Sequence, residues 1–116
     1  MNKSVENYKK FIDGLVKKKD GVYSNWVLEK GYPNTEENKN INELLASMSL
    51  EQKQILVKML EDARRGGIHD TLAYMNEMMD NDNLELRQDG VTYPYDRFES
   101  MHFDFICRCN GDNWPE

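Results

Sequence analysis

Apolar residues near the start of the chain recur three and four positions apart, which is the spacing of one buried helix face. Ser4 precedes this stretch and can cap it, and Asp20-Gly21 is a stop signal, so the pattern predicts a first helix between them. The apolar positions of that helix are Val5, Tyr8, Ile12, Leu15 and Val16. A shorter apolar segment, residues 22–28, predicts a second short helix that ends at Gly31.

A polar stretch over residues 34–40 separates these elements from the next helix and predicts an exposed loop or a first helical turn. The apolar residues that follow are again at helical spacing, at Ile41, Leu44, Leu45 and Met48. Ser49-Leu50-Glu51-Gln52 is then a capping box, in which the serine hydroxyl and the glutamine side chain each satisfy a free backbone amide. The pattern therefore predicts a third helix and a well-defined start to a fourth.

The fourth predicted helix covers residues 50–65 and has a broad apolar face. Its apolar positions are Ile55, Leu56, Val57, Met59, Leu60 and Ala63, so we expect it to pack centrally against several neighbours. Gly66-Gly67 predicts its end, because the first glycine can take the left-handed conformation that closes a helix. A further helix follows at once, with Ile68, Leu72, Met75 and Met79 on one face. These two helices are predicted to form an αα-hairpin with a tight glycine corner.

The pattern changes after Met79, where residues 80–83 predict a turn. Alternation over residues 84–93, around Gln88-Asp89-Gly90, predicts a β-hairpin. Residues 98–109 fit both a strand and a helix, and we favour the helix. The predicted fold class is mainly α, with four to five helices and a small β-hairpin near the C-terminus, in a single domain over residues 1–116. An α+β fold is the alternative.

Charge is unevenly distributed along the chain, and this affects which partners we expect. The net charge is −6, yet residues 1–30 hold seven lysines against four acids, and all the other residues hold 8 basic and 17 acidic side chains. An acidic chain is a poor ligand for nucleic acid, because phosphate neutralisation needs clustered lysine and arginine. No stretch approaches the ~20 apolar residues that a membrane span needs. We therefore expect neither nucleic acid nor a membrane among its partners.

The cellular compartment is predicted from the N-terminus and the cysteines. The first ten residues are polar and lack the apolar core of a signal peptide. Without an export signal, Cys107 and Cys109 are expected to be reduced thiols. These features predict a cytoplasmic protein.

The segment from Arg64 to Asp70 is the first candidate for chemistry. Two arginines, a glycine corner and a new helix N-terminus could cradle an anion, and a histidine could act as an acid or base near neutral pH. The candidate ligand-binding residues are Arg64, Arg65, Gly67, His69 and Asp70. No phosphate-loop or dinucleotide pattern surrounds them, and Asp70 would compete for the amides. The alternative interpretation, which we weigh more heavily, is an ordinary corner between two helices.

Patterns for metals and nucleophiles are weaker still. The possible metal ligands are His102, Asp104, Cys107 and Cys109, but Cys-x-Cys is not a usual zinc spacing and no second Cys or His pair accompanies it. Residues 80–85 begin like a calcium loop, but Leu84 occupies a ligand position. Neither Gly-x-Ser-x-Gly nor His-Glu-x-x-His occurs. We therefore expect no metal, no cofactor and no catalytic residue, and the balance favours a protein that is not an enzyme.

Two blocks of residues are similar to those of a known family. The first runs from Ser49-Leu50-Glu51-Gln52 through Gly66-Gly67-Ile68-His69-Asp70-Thr71-Leu72 to Tyr74-x-Asn76-Glu77. The second is the tail, Asp104-Phe105-Ile106-Cys107-Arg108 followed by Gly111-Asp112-x-Trp114-Pro115. Over the C-terminal two-thirds of the chain, they resemble a family of small bacterial proteins catalogued only as a domain of unknown function. The resemblance implies a bacterial, stand-alone protein and no activity, so no functional residue is carried over.

The sequence favours a small non-catalytic protein-interaction or regulatory protein. The reasons are its segregated charge, its faces rich in methionine and aromatic residues, and the lack of catalytic patterns. The predicted partner is another protein, which the basic first helix or the acidic C-terminal third would meet. The chain itself is expected to be a monomer or a small homo-oligomer. The alternative function is a small anion- or phosphate-binding domain or enzyme centred on the segment Arg64–Asp70.

Overall fold

Helices dominate the structure, a computed structural model that describes residues 2–116. Across those residues, 67% are helical, with four helices of nine residues or more and one two-stranded antiparallel hairpin. The predicted fold class is therefore confirmed. The elements in chain order are α1 (Lys3–Lys18), the short α2 (Tyr23–Asn25) and a π-helical turn (Trp26–Lys30), a 3-10 turn (Glu36–Asn38), α3 (Lys39–Ser47), α4 (Leu50–Asn81), β1 (Arg87–Gln88), β2 (Val91–Thr92) and α5 (Met101–Cys109).

The described residues form two compact units. The terminal unit contains the stretch up to Lys19 together with Arg65–Glu116, and the central unit is Asp20–Arg64. The long helix α4 contributes its first part to the central unit and its remainder to the terminal unit. A single domain over the whole chain stays a prediction.

Helix α1 begins two residues earlier than the sequence pattern indicates. Asn2, whose backbone is extended, is the N-cap: its side-chain Oδ1 accepts hydrogen bonds from the Ser4 backbone N–H at 2.8 Å and the Ser4 hydroxyl at 2.6 Å. The prediction of Ser4 as the cap is therefore wrong, because its own amide is already one of those the cap satisfies. The predicted apolar face is confirmed at Val5, Tyr8 and Ile12, which are all buried.

The terminal unit has one main core, to which α1, α4, the hairpin and α5 all contribute. Its buried members are Tyr8, Ile12, Leu72, Met79, Tyr93, Met101 and Phe105. Each large apolar side chain buried in this way contributes about 1.5–3 kcal/mol relative to exposure. The face of α1 and the face of the second half of α4, both predicted from periodicity, therefore pack into the same core.

The β-hairpin is shorter than predicted but has the expected turn. Arg87 pairs with Thr92 and Gln88 with Val91, so each strand has only two residues. Asp89 and Gly90 form the two-residue loop with φ values of 52° and 80°. Positive φ at both positions matches the right-handed twist of the strands, and Asp-Gly is a favoured pair for this geometry.

Residues 101–109 are a helix, which confirms the preferred interpretation of the ambiguous segment. The Ser100 side chain caps α5 by accepting from the Phe103 backbone N–H at 3.2 Å. A second cap comes from α4, where the side-chain oxygen of the buried Asn76 accepts from the Met101 N–H at 3.1 Å. The helix ends where Gly111 takes a φ of 87°.

The central unit confirms the short helical segment and its stop. Gly31 follows the π-helical turn with a φ of 80°, a conformation that favours glycine. The Asn42 side chain then accepts from the Tyr32 N–H at 2.9 Å and donates to the Tyr32 carbonyl at 3.1 Å, which holds this segment on α3. Behind these contacts lies a small core of Val27, Leu45 and Val57.

Helix α4 starts as predicted but does not end as predicted. The Ser49 N–H donates to Gln52 Oε1 at 2.9 Å and the Gln52 N–H donates to Ser49 Oγ at 3.1 Å, so the capping box is confirmed. Gly66-Gly67 does not close the helix, which continues to Asn81, and the predicted αα-hairpin is wrong. Neither glycine has a positive φ. Glycine costs only about 1 kcal/mol in a helix interior, and the packing of α4 in both units outweighs that.

The broad burial predicted for the first half of α4 is also wrong. Val57 is buried and Leu56 and Leu60 are half-buried, but Ile55 and Met59 lie mostly in solvent. The central unit thus covers only one side of α4 here. Its small core uses the valine and leaves the remaining part of the apolar arc exposed.

Candidate functional site

The five predicted ligand-binding residues lie in the interior of α4, not at a corner. Successive helix positions are about 100° apart, so residues 64–70 spread around the whole circumference of the helix. Arg65 and His69, four positions apart, share one face, whereas Arg64 and Asp70 lie on other sides of the helix. The five side chains therefore do not meet at one position where a ligand could contact them all.

The backbone amides expected to hold an anion are also engaged. Within a continuous helix each amide donates to the carbonyl four residues earlier, and the Thr71 hydroxyl also donates to the Gly67 carbonyl at 2.8 Å. The Asp70 carboxylate lies 3.0 Å from His69 Nδ1. The free helix N-terminus that motivated the anion site is therefore absent from this geometry, and an anion site at these residues stays a prediction.

His69 has a neighbour that sequence spacing could not indicate. Its ring meets that of His102 on α5 edge to face, with centroids 5.3 Å apart. His102 Nδ1 is buried without a hydrogen-bond partner among residues 2–116, and its Nε2 lies 3.5 Å from Ser100 Oγ. Nowhere in those residues are three or more His, Cys, Asp or Glu side chains grouped to hold a metal ion.

A set of exposed aliphatic side chains is the most unusual surface feature of the central unit. Between residues 44 and 59, four of them are more than half exposed: Leu44 at 60%, Leu50 at 63%, Ile55 at 57% and Met59 at 61%. We call these four the exposed apolar set. Ile55 and Met59 are one turn apart and share a face of α4. Leu44 shares a face of α3 with Ile41, which is 37% exposed.

The surroundings of this set are charged. Glu51 is exposed one turn before Ile55, and Lys58 forms an exposed ion pair with Asp62 at 3.1 Å beside Met59. Such an ion pair contributes little to stability, in the range of about 0.2–1 kcal/mol. Ile55 and Met59 on α4 therefore have charged neighbours, and an apolar centre with a charged rim is the usual composition of a protein-binding surface.

The terminal unit contains a buried pair of ionisable groups. The Tyr8 hydroxyl donates to Asp104 Oδ2 at 2.6 Å, and both side chains are almost inaccessible to solvent. Burial raises the pKa of Asp104, whereas the hydrogen bond from Tyr8 acts in the opposite direction. Burial and the adjacent carboxylate raise the pKa of Tyr8 well above its usual range. The two groups are thus hydrogen-bond partners within the core of the terminal unit.

The thiol of Cys107 is not activated. Burial raises its pKa, and the carboxylate of Asp112, which accepts a hydrogen bond from the thiol, raises it further. A nucleophilic cysteine needs the opposite shift, because the thiolate is the reactive form. Cys107 thus has the properties of a structural thiol.

The tail after α5 is attached to α1 through Asp13. Arg108 donates to both carboxylate oxygens of Asp13, at 2.7 Å and 3.2 Å, and the Trp114 indole N–H donates to the same carboxylate at 3.3 Å. Arg108 also donates to the Asp112 carbonyl at 2.9 Å. These contacts between distant parts of the sequence place Trp114 beside Phe98, with centroids 5.0 Å apart.

Comparison of the chain with known protein families shows which family it belongs to. The whole chain, residues 1–116, matches a family of unknown function, DUF6547. The chain belongs to this family. The inferred resemblance to a family of unknown function is thereby confirmed, and the match extends over the full sequence. No curated protein and no solved structure matches the chain.

Membership of DUF6547 assigns no role to any residue. Functional inferences about this DUF6547 protein therefore rest on the geometry described above. Its exposed apolar set and buried Tyr8–Asp104 pair were not among the predicted sites. Periodicity identifies apolar positions but does not show which of them a neighbour covers. Over the part of the chain that is described, no helix is both long and apolar enough to cross a bilayer.

Proposed function

We propose that this DUF6547 protein is a non-catalytic protein-interaction or regulatory protein that binds another protein through the exposed apolar set. The supporting observation is that four large aliphatic side chains of the central unit are each more than half exposed. Single exposed apolar residues are ordinary, but several between residues 44 and 59 indicate a surface that a partner covers. A cytoplasmic location and a bacterial source are part of the same proposal.

The magnitude of the apolar contribution fits a specific but not obligate complex. Fully burying a leucine, isoleucine or methionine contributes about 1.5–3 kcal/mol, so covering the exposed parts of four such side chains contributes about 4–7 kcal/mol. Association itself costs about 4–15 kcal/mol in lost freedom of motion. The exposed apolar set would therefore act as the anchor, and polar contacts around it would supply the remaining affinity and the specificity.

The most direct test is affinity capture from the source cells with variants that put a charge in the centre of the set. Ile55→Lys and Met59→Lys keep good helix propensity and leave the buried Val57 untouched. Gln54→Lys is the matched control, because it adds the same charge to an exposed position of the same helix outside the set. We expect one partner to be captured by the wild type and the control and lost from both set variants.

Two results would contradict the proposal. Retention of the partner by both Ile55→Lys and Met59→Lys would remove the exposed apolar set from the interface. Capture of no partner, with a wild-type oligomer seen by light scattering that both variants dissociate, would assign the set to self-association of this chain.

A further inference from the structure

A cavity of about 250 Å³ opens in the terminal unit beside α5. Its walls come from α5, the residues just before it and the tail that follows it. Three carboxylates and three aromatic rings line it, namely Glu99, Asp104, Asp112, Phe98, Phe103 and Trp114. We propose that this cavity binds a small organic cation, an alkylammonium or guanidinium group. The proposal does not depend on the exposed apolar set, which lies in the other unit.

The burial of the Asp104 carboxylate is the main evidence for a cation site. Its side chain is buried, with the residue only 5% exposed, and the Tyr8 hydroxyl that donates to it is uncharged. In the described part of the chain no lysine or arginine forms an ion pair with it, and the charge of His102, which lowers its pKa, has the smallest effect of its neighbours. Buried carboxylates are normally paired with a cation, because the desolvated charge is otherwise unfavourable. A carboxylate also has about four acceptor positions, so capacity remains for a donor from the cavity.

The one guanidinium in the wall does not supply the missing counter-charge. Arg108 is held in a two-point ion pair by Asp13, which is not part of the lining. Glu99 and Asp112 are both exposed at the rim and add to the negative charge of Asp104. The lining therefore has excess negative charge, which favours a cation and disfavours a phosphate or carboxylate ligand.

Cys107 lines the same cavity as the three carboxylates. Burial has the largest effect in raising the pKa of Cys107, and Asp112, Asp104 and Glu99 each raise it further. A negative field disfavours the thiolate in the same way that it favours a bound cation.

The aromatic rings suit the same ligand. Phe98 and Trp114 already accept cations from the protein, since Lys9 Nζ lies 5.6 Å from the Phe98 centroid and the Arg108 guanidinium lies 5.3 Å from that of Trp114. Phe103 is half exposed, and within residues 2–116 no lysine or arginine lies over its ring. Its face is the aromatic surface that a cation in the cavity could use.

The volume restricts the size of the ligand. A cavity of about 150 Å³ holds benzene, so about 250 Å³ holds a group of the size of a lysine or arginine side-chain end and excludes a nucleotide. Such a group could belong to a free amine or to a side chain of a peptide. Both sources present the same chemistry to Asp104.

The experiment is a titration of the ¹⁵N-labelled protein with n-butylammonium at constant ionic strength, followed by amide shifts, with 1-butanol as the neutral probe of similar shape. We expect saturable shifts confined to the lining, with a Kd of about 1–10 mM, and at least tenfold weaker binding of the alcohol. Equal binding of the alcohol, or no saturable binding of the cation, would overturn the proposal. Parallel titration with Nα-acetyl-lysinamide distinguishes the sources, since tighter binding than butylammonium indicates a peptide side chain and weaker binding a free amine.

Variants of the lining carboxylates show which charges contribute to the binding of butylammonium. Asp104→Asn and Asp112→Asn should each weaken butylammonium about tenfold, whereas Asp96→Asn, an exposed acid outside the lining, should change it less than twofold. Because Asp104 is buried, its variant could fail to fold. The exposed Asp112→Asn and Glu99→Gln keep the test decisive in that event. Unchanged affinity in Asp112→Asn and Glu99→Gln would refute the charge-based mechanism.

Discussion

Replacing the two glycines in the middle of α4 by alanine distinguishes the observed helix from the corner that local sequence signals predict. A Cβ atom added at either Gly66 or Gly67 meets nothing within 4 Å, and neither residue has a positive φ. Alanine is therefore accommodated at both positions without a clash or backbone strain. Each substitution should stabilise the protein, because it reduces the freedom of the unfolded chain and improves helix propensity.

The expected size follows from the position in the helix. Glycine is about 0.8–1 kcal/mol less favourable than alanine in a helix interior. Adjacent helix residues do not face each other, so the double variant should gain close to the sum, about 1.6–2 kcal/mol. For a chain of 116 residues, 1 kcal/mol corresponds to about 4 °C, so the melting temperature should rise by about 6–8 °C. Calorimetry and urea unfolding followed by circular dichroism both measure this change.

Gly90→Ala is the matched control. Its added Cβ also meets nothing within 4 Å, but its φ of +80° is unfavourable for any residue with a side chain. We expect this variant to lose about 1 kcal/mol, the opposite sign for the same chemical change. A fall in stability for Gly66→Ala or Gly67→Ala would refute the reasoning. It would mean that one of them needs the left-handed conformation and that α4 is broken there in solution.

Three further outcomes are expected from contacts in the terminal unit. Asn76→Ala removes the acceptor for the buried Met101 N–H and should destabilise the protein by about 1–3 kcal/mol in urea unfolding; a change below about 0.5 kcal/mol would contradict the inter-helix cap. Asp104→Asn removes a group whose folded pKa is raised above 3.8, so the wild type loses stability as the pH rises through that pKa and the variant does not. The stability of the variant relative to the wild type should therefore increase between about pH 4 and pH 7 in paired urea titrations, and an unchanged difference would contradict the assigned burial. Cys107, whose thiol pKa is raised by burial, should react with iodoacetamide near pH 8 more slowly in the folded protein than in urea, and equal rates by peptide mass spectrometry would argue against its packing.

The elements that were predictable from sequence are those whose determinants lie within a few residues of each other. Ser49 and Gln52 form the capping box through two mutual hydrogen bonds, whatever surrounds them. Asp89-Gly90 adopts the hairpin turn because this pair tolerates positive φ. The short segment ending at Gly31 stops for a similar local reason.

The candidate site was less predictable, because it depends on which apolar residues are covered and which distant residues meet. The periodicity of α4 marks Ile55, Val57 and Met59 equally, yet only Val57 packs against Val27 and Leu45. Tyr8 and Asp104 lie at opposite ends of the chain, and no spacing rule joins them. The charge segregation that suggested a binding role for the basic first helix and the acidic C-terminal third does not locate the exposed apolar set.

By itself, the sequence determined the helical class, the hairpin, the cap of α4 and membership of DUF6547, which matches residues 1–116. Tertiary structure decided whether α4 continues through Gly66-Gly67, whether residues 101–109 are a helix, and where the carboxylates of the cavity gather. The physical reason is the relative size of the free-energy contributions from local preferences and from apolar burial. A local glycine or capping preference contributes about 1 kcal/mol, whereas burying several apolar side chains contributes several times more, and only the folded chain shows where that burial occurs.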